Sequence, residues 1–253
     1  MADPPPGARR TCSGQVPVPS SLSLVASFEQ VGDGRTTSVY QDAVRLLLLI
    51  DAAAESLPDP PPAEAPVDAV AVLHSQVLLQ KLDFWLRNPD YLADELISRF
   101  ERDGNAEDLE LARDILESDE PEVRSYQMLR FLFGAYEPLD EALSVLRTPG
   151  LVIRRKQGSA GKVRQHDYYL TASGRTVARA VVDTAPALSY YVERSALVAD
   201  LAAGRRGSAL RDIQYLQPEY ADAALGTRIA GIADRARHRL EEALASAGSE
   251  GPQ

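Results

Sequence analysis

The chain has 253 residues, 45% of them hydrophobic and 25% charged, the balance of an ordinary globular protein. Its 37 acidic side chains outnumber 27 lysines and arginines, and a formal charge of −10 argues against a protein whose whole surface coats nucleic acid. The single cysteine, Cys12, permits no intrachain disulfide and fits a reducing cytoplasm; the longest strongly apolar run, Leu46–Ile50, is far shorter than the ~20 residues a membrane-spanning helix needs.

Residues 1–36 read as a Pro-rich tail, because proline fixes its own φ and lacks an N–H. Thr37 or Ser38 can cap a first helix that runs through Ala54, with Val44, Leu47 and Leu48 on its apolar face. Prolines in 57–66 form a linker that separates this helix from the body. The three- and four-residue steps of Val70, Leu73, Val77, Leu78, Leu82 and Trp85 predict a long helix over 67–87. Asn88-Pro89 starts another through Phe100, Asp103-Gly104-Asn105 is a turn, and 107–117 is helical again. From Asp90 through Glu122 there are 13 acidic and 3 basic residues, which read as a solvated helical face or as an acidic docking surface.

Residues 123–183 have a different rhythm. A helix is predicted over 123–135 and a short one over 139–147, stopped by Pro149-Gly150. Leu151–Ile153 and Val163–Leu170 are strand candidates joined by a glycine-bearing turn, and a helix follows from Thr171 to Asp183. Helix, short helix, hairpin and helix is the order of a winged helix, with Leu151, Ile153 and Tyr169 packing the hairpin onto the helices. The region 184–247 is helical, ending in a charged helix over 229–244, and 248–253 is a fraying tail. The expected fold is therefore mostly α with a small β-hairpin: a winged helix-turn-helix at 123–183, embedded in a helical domain whose N-terminal part spans 37–122.

Charge is segregated along this chain. Between Arg147 and Gln165 lie six cations and no carboxylate: Arg147, Arg154, Arg155, Lys156, Lys162 and Arg164. A basic hairpin of this kind can follow phosphates by displacing condensed counterions, or it can meet acidic helices. The residues leave both readings open. Asp140 and Glu141 open the short helix and would repel phosphate, which argues against base readout. Trp85 and Tyr91 are candidate anchors for a partner, with core packing as the alternative.

No constellation here carries catalysis. His74, His166 and His238 lack ligand spacing, one cysteine excludes multi-cysteine zinc sites, and glycine-rich phosphate loops and the Gly-x-Ser-x-Gly elbow are absent. We expect no catalytic residue, cofactor or metal.

Two segments resemble known proteins. Leu146-Arg147-Thr148-Pro149-Gly150-Leu151-Val152 and Tyr168-Tyr169-Leu170-Thr171-Ala172-Ser173-Gly174 resemble the entry and close of the wing in bacterial winged-helix proteins. Lys81-Leu82-Asp83-Phe84-Trp85-Leu86-Arg87-Asn88-Pro89-Asp90-Tyr91-Leu92, with Gly207–Tyr215 and Pro218-Glu219-Tyr220, resembles the middle components of ABC-three-component systems. These small actinobacterial proteins sit beside an SMC-like ATPase in phage defence. The resemblance covers about residues 67–230 and implies a non-enzymatic accessory subunit that contacts the ATPase, a further effector subunit and perhaps duplex DNA, with no membrane. Panacea-type antitoxins share a similar helix-plus-wing rhythm, and a free-standing transcription regulator is the other alternative.

Overall fold

The computed structural model describes residues 39–249 apart from 119, 133, 160, 186 and 187; the predicted tail at 1–36, the caps at Thr37 and Ser38 and the last residues from 250 lie outside them. It is mostly helical with a small antiparallel sheet. Among the described residues, no helix is long and apolar enough to cross a membrane.

The first helix, α1 (Val39–Ala53), is buried without interruption from Ala43 to Ile50, on every face. A helix apolar all round belongs inside a protein. It does so here: α1 packs against α2 (Gln76–Arg87), α6 (Asp140–Arg147), α7 (Ala172–Thr184) and α8 (Ser189–Ala202). The proline-rich segment that follows does not set this helix apart. It loops out and returns through β1 (Glu55–Ser56) and β2 (Ala69–Leu73), which pair antiparallel.

The helix predicted over 67–87 thus begins only at Gln76, and its first stretch is β2. Ala-Val-Ala-Val-Leu satisfies helical and alternating spacing alike, and its β-branched residues favour the strand. Ser75 makes the break. Its φ is 73°, and its hydroxyl accepts the Leu78 N–H to cap α2.

Pro89 occupies the first turn of α3 (Pro89–Asp103), Gly104 closes it in the left-handed conformation, and Asn105 caps α4 (Ala106–Glu117). The helix expected over 123–135 does not form. After the single turn α5 (Glu120–Val123), the chain makes a small hairpin, β3 (Leu129–Phe131) with β4 (Gly134–Tyr136). Distant backbone fixes that hairpin. Arg130 donates its N–H to Thr227, while Ile229 and Gly226 donate to the carbonyls of Met128 and Arg130. Such long-range pairing overrides local helical preference.

From α6 the order matches the expectation: β5 (Val152–Ser159), β6 (Lys162–Thr171), then α7. Leu151 donates to the Leu146 carbonyl as Gly150 releases the helix end. The sheet runs β1-β2-β6-β5, so β6 pairs with β2 as well as with β5, and the sheet joins the 37–122 and 123–183 stretches. One detail differs from prediction. Val152, Tyr168 and Leu170 fill the core on one face, while Ile153, opposite Tyr169, lies on the other face and is half-exposed. A one-residue shift of the inward set is enough to swap faces.

Thr171 explains why the Thr-x-x-Gly close is built as it is. Its hydroxyl donates to the carbonyl of Gly150 and accepts the Gly174 N–H, so one side chain joins the entry of the hairpin to the cap of α7. A Cβ on Gly174 would stand 2.2 Å from the Leu151 carbonyl oxygen, so only glycine lets this helix start so close to the strand. The chain then continues through α8, α9 (Gly207–Gln214) and α10 (Pro218–Ala221) to α11 (Ala233–Ser249), whose start falls four residues later than predicted.

Candidate functional site

The six predicted cations do gather at the β5–β6 hairpin and the end of α6. Arg147, Arg155, Lys156, Lys162 and Arg164 are exposed, and Arg154 is half-buried. Register decides what each one faces. Arg154 stands opposite Tyr168 and Lys156 opposite His166, while Arg155 stands opposite Asp167 on the other face. A bulge near Gln157 and Gly158 drops Arg164 from the cross-strand register.

Arg154 is committed inside the molecule, its Nη1 2.8 Å from Asp140 Oδ1. Among the described residues, the other five form no ion pair within 4.0 Å. His166 is held below its usual pKa by burial and then by Arg154 and Lys156. Asp140 and Glu141 open α6, both exposed.

Trp85 and Tyr91, the predicted partner anchors, are each only 2% exposed. Trp85 belongs to the core, and Tyr91 packs edge-on against Phe84 and donates its hydroxyl to the Ala230 carbonyl. Neither offers a partner any surface: Trp85 takes the core-packing reading, and the anchor reading is corrected for both. The physical reason is that α2 and α3 lie inside the fold and expose little of the face on which both residues sit.

The acidic stretch divides: Glu101, Asp103, Glu107, Glu110, Asp114 and Glu117 are exposed, as a solvated face requires, and four other carboxylates are not. Asp90, Asp94, Glu95 and Asp108 are buried. Arg239 Nη1 lies 2.9 Å from Asp94 Oδ1, and Arg99 Nη2 lies 2.5 Å from Asp108 Oδ1. Asp90 accepts the backbone N–H groups of Ile232 and Tyr91. The buried carboxylates tie elements together: Asp90 and Asp94 hold α11 and the residue before it onto α3, and Asp108 holds α4 onto α3.

Sequence reasoning also missed a cationic group in the interior. Lys81 is 1% exposed and donates to the Tyr220 hydroxyl at 2.8 Å. Burial, then the charges of Arg130 and Arg211, lower its pKa to about 7. Arg130 is buried too, its guanidinium stacked over Tyr215 and Tyr220. Nothing local announced this: Lys81 sits in a stretch of alternating charge and apolarity that reads equally well as a solvated face.

Among the described residues, no group of three or more histidine, cysteine, aspartate or glutamate side chains could hold a metal ion. No family model, curated protein or solved structure matches the chain.

Proposed function

We propose that the chain is a non-enzymatic, cytoplasmic accessory subunit that bridges an SMC-like ATPase, and with it an effector subunit of a defence complex, to the duplex DNA backbone through its basic hairpin. In this reading α6, β5, β6 and α7 form a winged helix-turn-helix. The helix that supports α6 is α1, in the place the sequence assigned to 123–135.

The carrying observation is that Arg147, at the end of α6, and Arg155, Lys156, Lys162 and Arg164, on the hairpin, are exposed and form no ion pair among the described residues of a chain with net charge −10. A charged side chain left in water and paired to nothing contributes little to folding, so its accumulation on one element points to binding. Phosphate contact without base readout suits the site, because Asp140 and Glu141 stand where a reading helix would present its first turn. The ATPase rests on the resemblance of 80–92 and 207–220 alone.

The test has two arms. Duplex binding is followed by fluorescence anisotropy against salt for the wild type and for a variant with Arg155, Lys156, Lys162 and Arg164 changed to alanine. Arg154 is left intact because it holds Asp140. The variant should bind at least tenfold more weakly, with a log–log salt slope shallower by about 2–4, since each neutralised phosphate contributes about 0.9. An unchanged affinity and slope would remove DNA from the reading. Affinity purification of the tagged chain from its native cells, read for a co-purifying SMC-like ATPase, tests the other half. A chain that runs alone, whatever its neighbours, would end the adaptor reading.

A further inference from the structure

The β3–β4 hairpin turns an apolar face to solvent. Arg130 is buried, while Leu129 and Phe131 on either side of it are 42% and 50% exposed. Tyr136 stands opposite Leu129, its ring 5.4 Å from that of Phe131. Leu132, at the turn, is 62% exposed, and Val77 on the neighbouring α2 is 43% exposed. Val77, Phe131 and Tyr136 line one cleft of about 360 Å³, so these side chains form a continuous patch. Isolated exposed apolar residues are ordinary, but a patch of this kind marks a contact surface. Two strands of three residues are weak on their own, and an uncovered apolar face adds nothing to them.

The chain carries a segment that fits. Before α1 the sequence is Pro-rich as far as Pro19 and then changes. Leu22, Leu24, Ala26 and Phe28 alternate with Ser23, Val25 and Ser27, the two-residue period of a strand with one apolar face. No charged residue falls between Arg10 and Glu29, in a chain of which 25% is charged.

A run of ion pairs brings the start of α1 near the hairpin. Arg45 Nε lies 2.8 Å from Asp83 Oδ1 on α2. Arg87 Nη1 lies 3.7 Å from Asp83 Oδ2 and 3.1 Å from Glu137 Oε2, and Glu137 directly follows β4. The helix from Val39 to Arg45, one helix-to-helix step and the helix from Asp83 back to Val77 leave the cleft no more than about 30 Å from Val39. The residues from Glu29 to Ser38 can span up to about 36 Å.

We propose that Leu22–Phe28 lies extended across this patch in the same molecule, with Leu22, Leu24 and Phe28 against Val77, Leu129, Phe131 and Tyr136. A tether of this length holds the segment at an effective concentration of about 1 mM, so a contact too weak to join two separate chains is enough. A second copy, or an apolar segment of another protein, would bind without that advantage. Neither the DNA reading nor the ATPase reading is needed for this contact.

Hydrogen exchange of the full chain, read by mass spectrometry, tests it. Amides of 22–28 should exchange at least about tenfold more slowly than in a synthetic peptide of the same sequence, and equally so over about a hundredfold dilution of the protein. Changing Leu22, Leu24 and Phe28 together to serine should speed exchange in β3 and β4 and leave α3 and α4 as they are. Phe131→Ser with Leu132→Ser, both at exposed positions, should return 22–28 to the peptide rate. The first of these variants alters no residue of α1 to α11, so it reads the contact even where the second loosens the hairpin. Exchange of 22–28 at the peptide rate in the wild type would overturn the proposal. So would unchanged exchange of β3 and β4 in the triple variant, or protection of 22–28 that survives the double one. Protection lost on dilution would assign the patch to a second copy and overturn it equally.

Discussion

Charge serves opposite ends in the helical body and in the β5–β6 hairpin. In the body, Arg45, Asp83, Asp94 and Asp108 are buried, and each lies within ion-pair distance of a partner from another element. In the hairpin, Arg155, Lys156, Lys162 and Arg164 stand in water and form no ion pair among the described residues. The same residue types therefore carry specificity of folding in one region and availability for binding in the other. An acidic average over the chain hides both.

The comparison breaks hardest at Asp83. It accepts Arg45 Nε at 2.8 Å between α1 and α2, with Arg87 Nη1 3.7 Å from its second oxygen. Burial opposes the Arg45 charge, yet Asp83 and Asp42 outweigh burial and hold its pKa above the usual value. Asp83→Ala leaves that guanidinium buried and without its main partner, and should cost about 3–5 kcal/mol, read as a lower midpoint in urea unfolding. A loss below about 1 kcal/mol would mean that this pair is no more than an exposed one.

Lys81 adds a titrating group inside the body, its charge opposed by burial and then by Arg130 and Arg211. Its folded pKa of about 7 lies below the 10.5 of an unperturbed lysine, so between these values the unfolded chain binds the extra proton. Stability should therefore climb as pH rises from about 7 toward 9 and lose this contribution below pH 7. Lys81→Met keeps the length of the side chain and removes the titration. It should raise stability at about pH 6 by up to a few kcal/mol and flatten the climb, measured as Tm against pH. A variant with the wild-type slope would place the titrating group elsewhere.

How much of this was legible in the sequence depends on how far each signal reaches. The elements from α6 to α7 could be found because their signals are local: Gly150 at the helix end, Thr171 and Gly174 at the next cap, and cations concentrated between them. β2 was hidden because Val70 and Leu73 fit a helical step while Val70 and Val72 fit an alternating one. The β3–β4 hairpin was hidden because its support comes from Thr227 and Ile229, about a hundred residues away. The burial of Trp85 agrees with its place on the apolar stripe, but that of Lys81 and Asp83 followed from neither composition nor spacing. It requires knowing that α1 and α2 lie at the centre. The basic hairpin was readable and the buried Lys81 was not, because only the first is a run of one charge.

Arg154 lies between the two regimes and offers the finest test of the contrast. It belongs to the basic hairpin by sequence, but its ion pair with Asp140 ties β5 to the start of α6. The pair is exposed on the Asp140 side, so its worth to the fold should be about 0.2–1 kcal/mol. Arg154→Ala should lower the unfolding free energy by no more than that. It should also free the Asp140 carboxylate beside the hairpin, where it opposes phosphate. The fall in duplex affinity per cation removed should then exceed that for Arg155→Ala, which unmasks nothing, with the difference shrinking as salt rises. Equal losses for the two variants would show that Asp140 is screened already, and that the hairpin acts as a sum of independent charges.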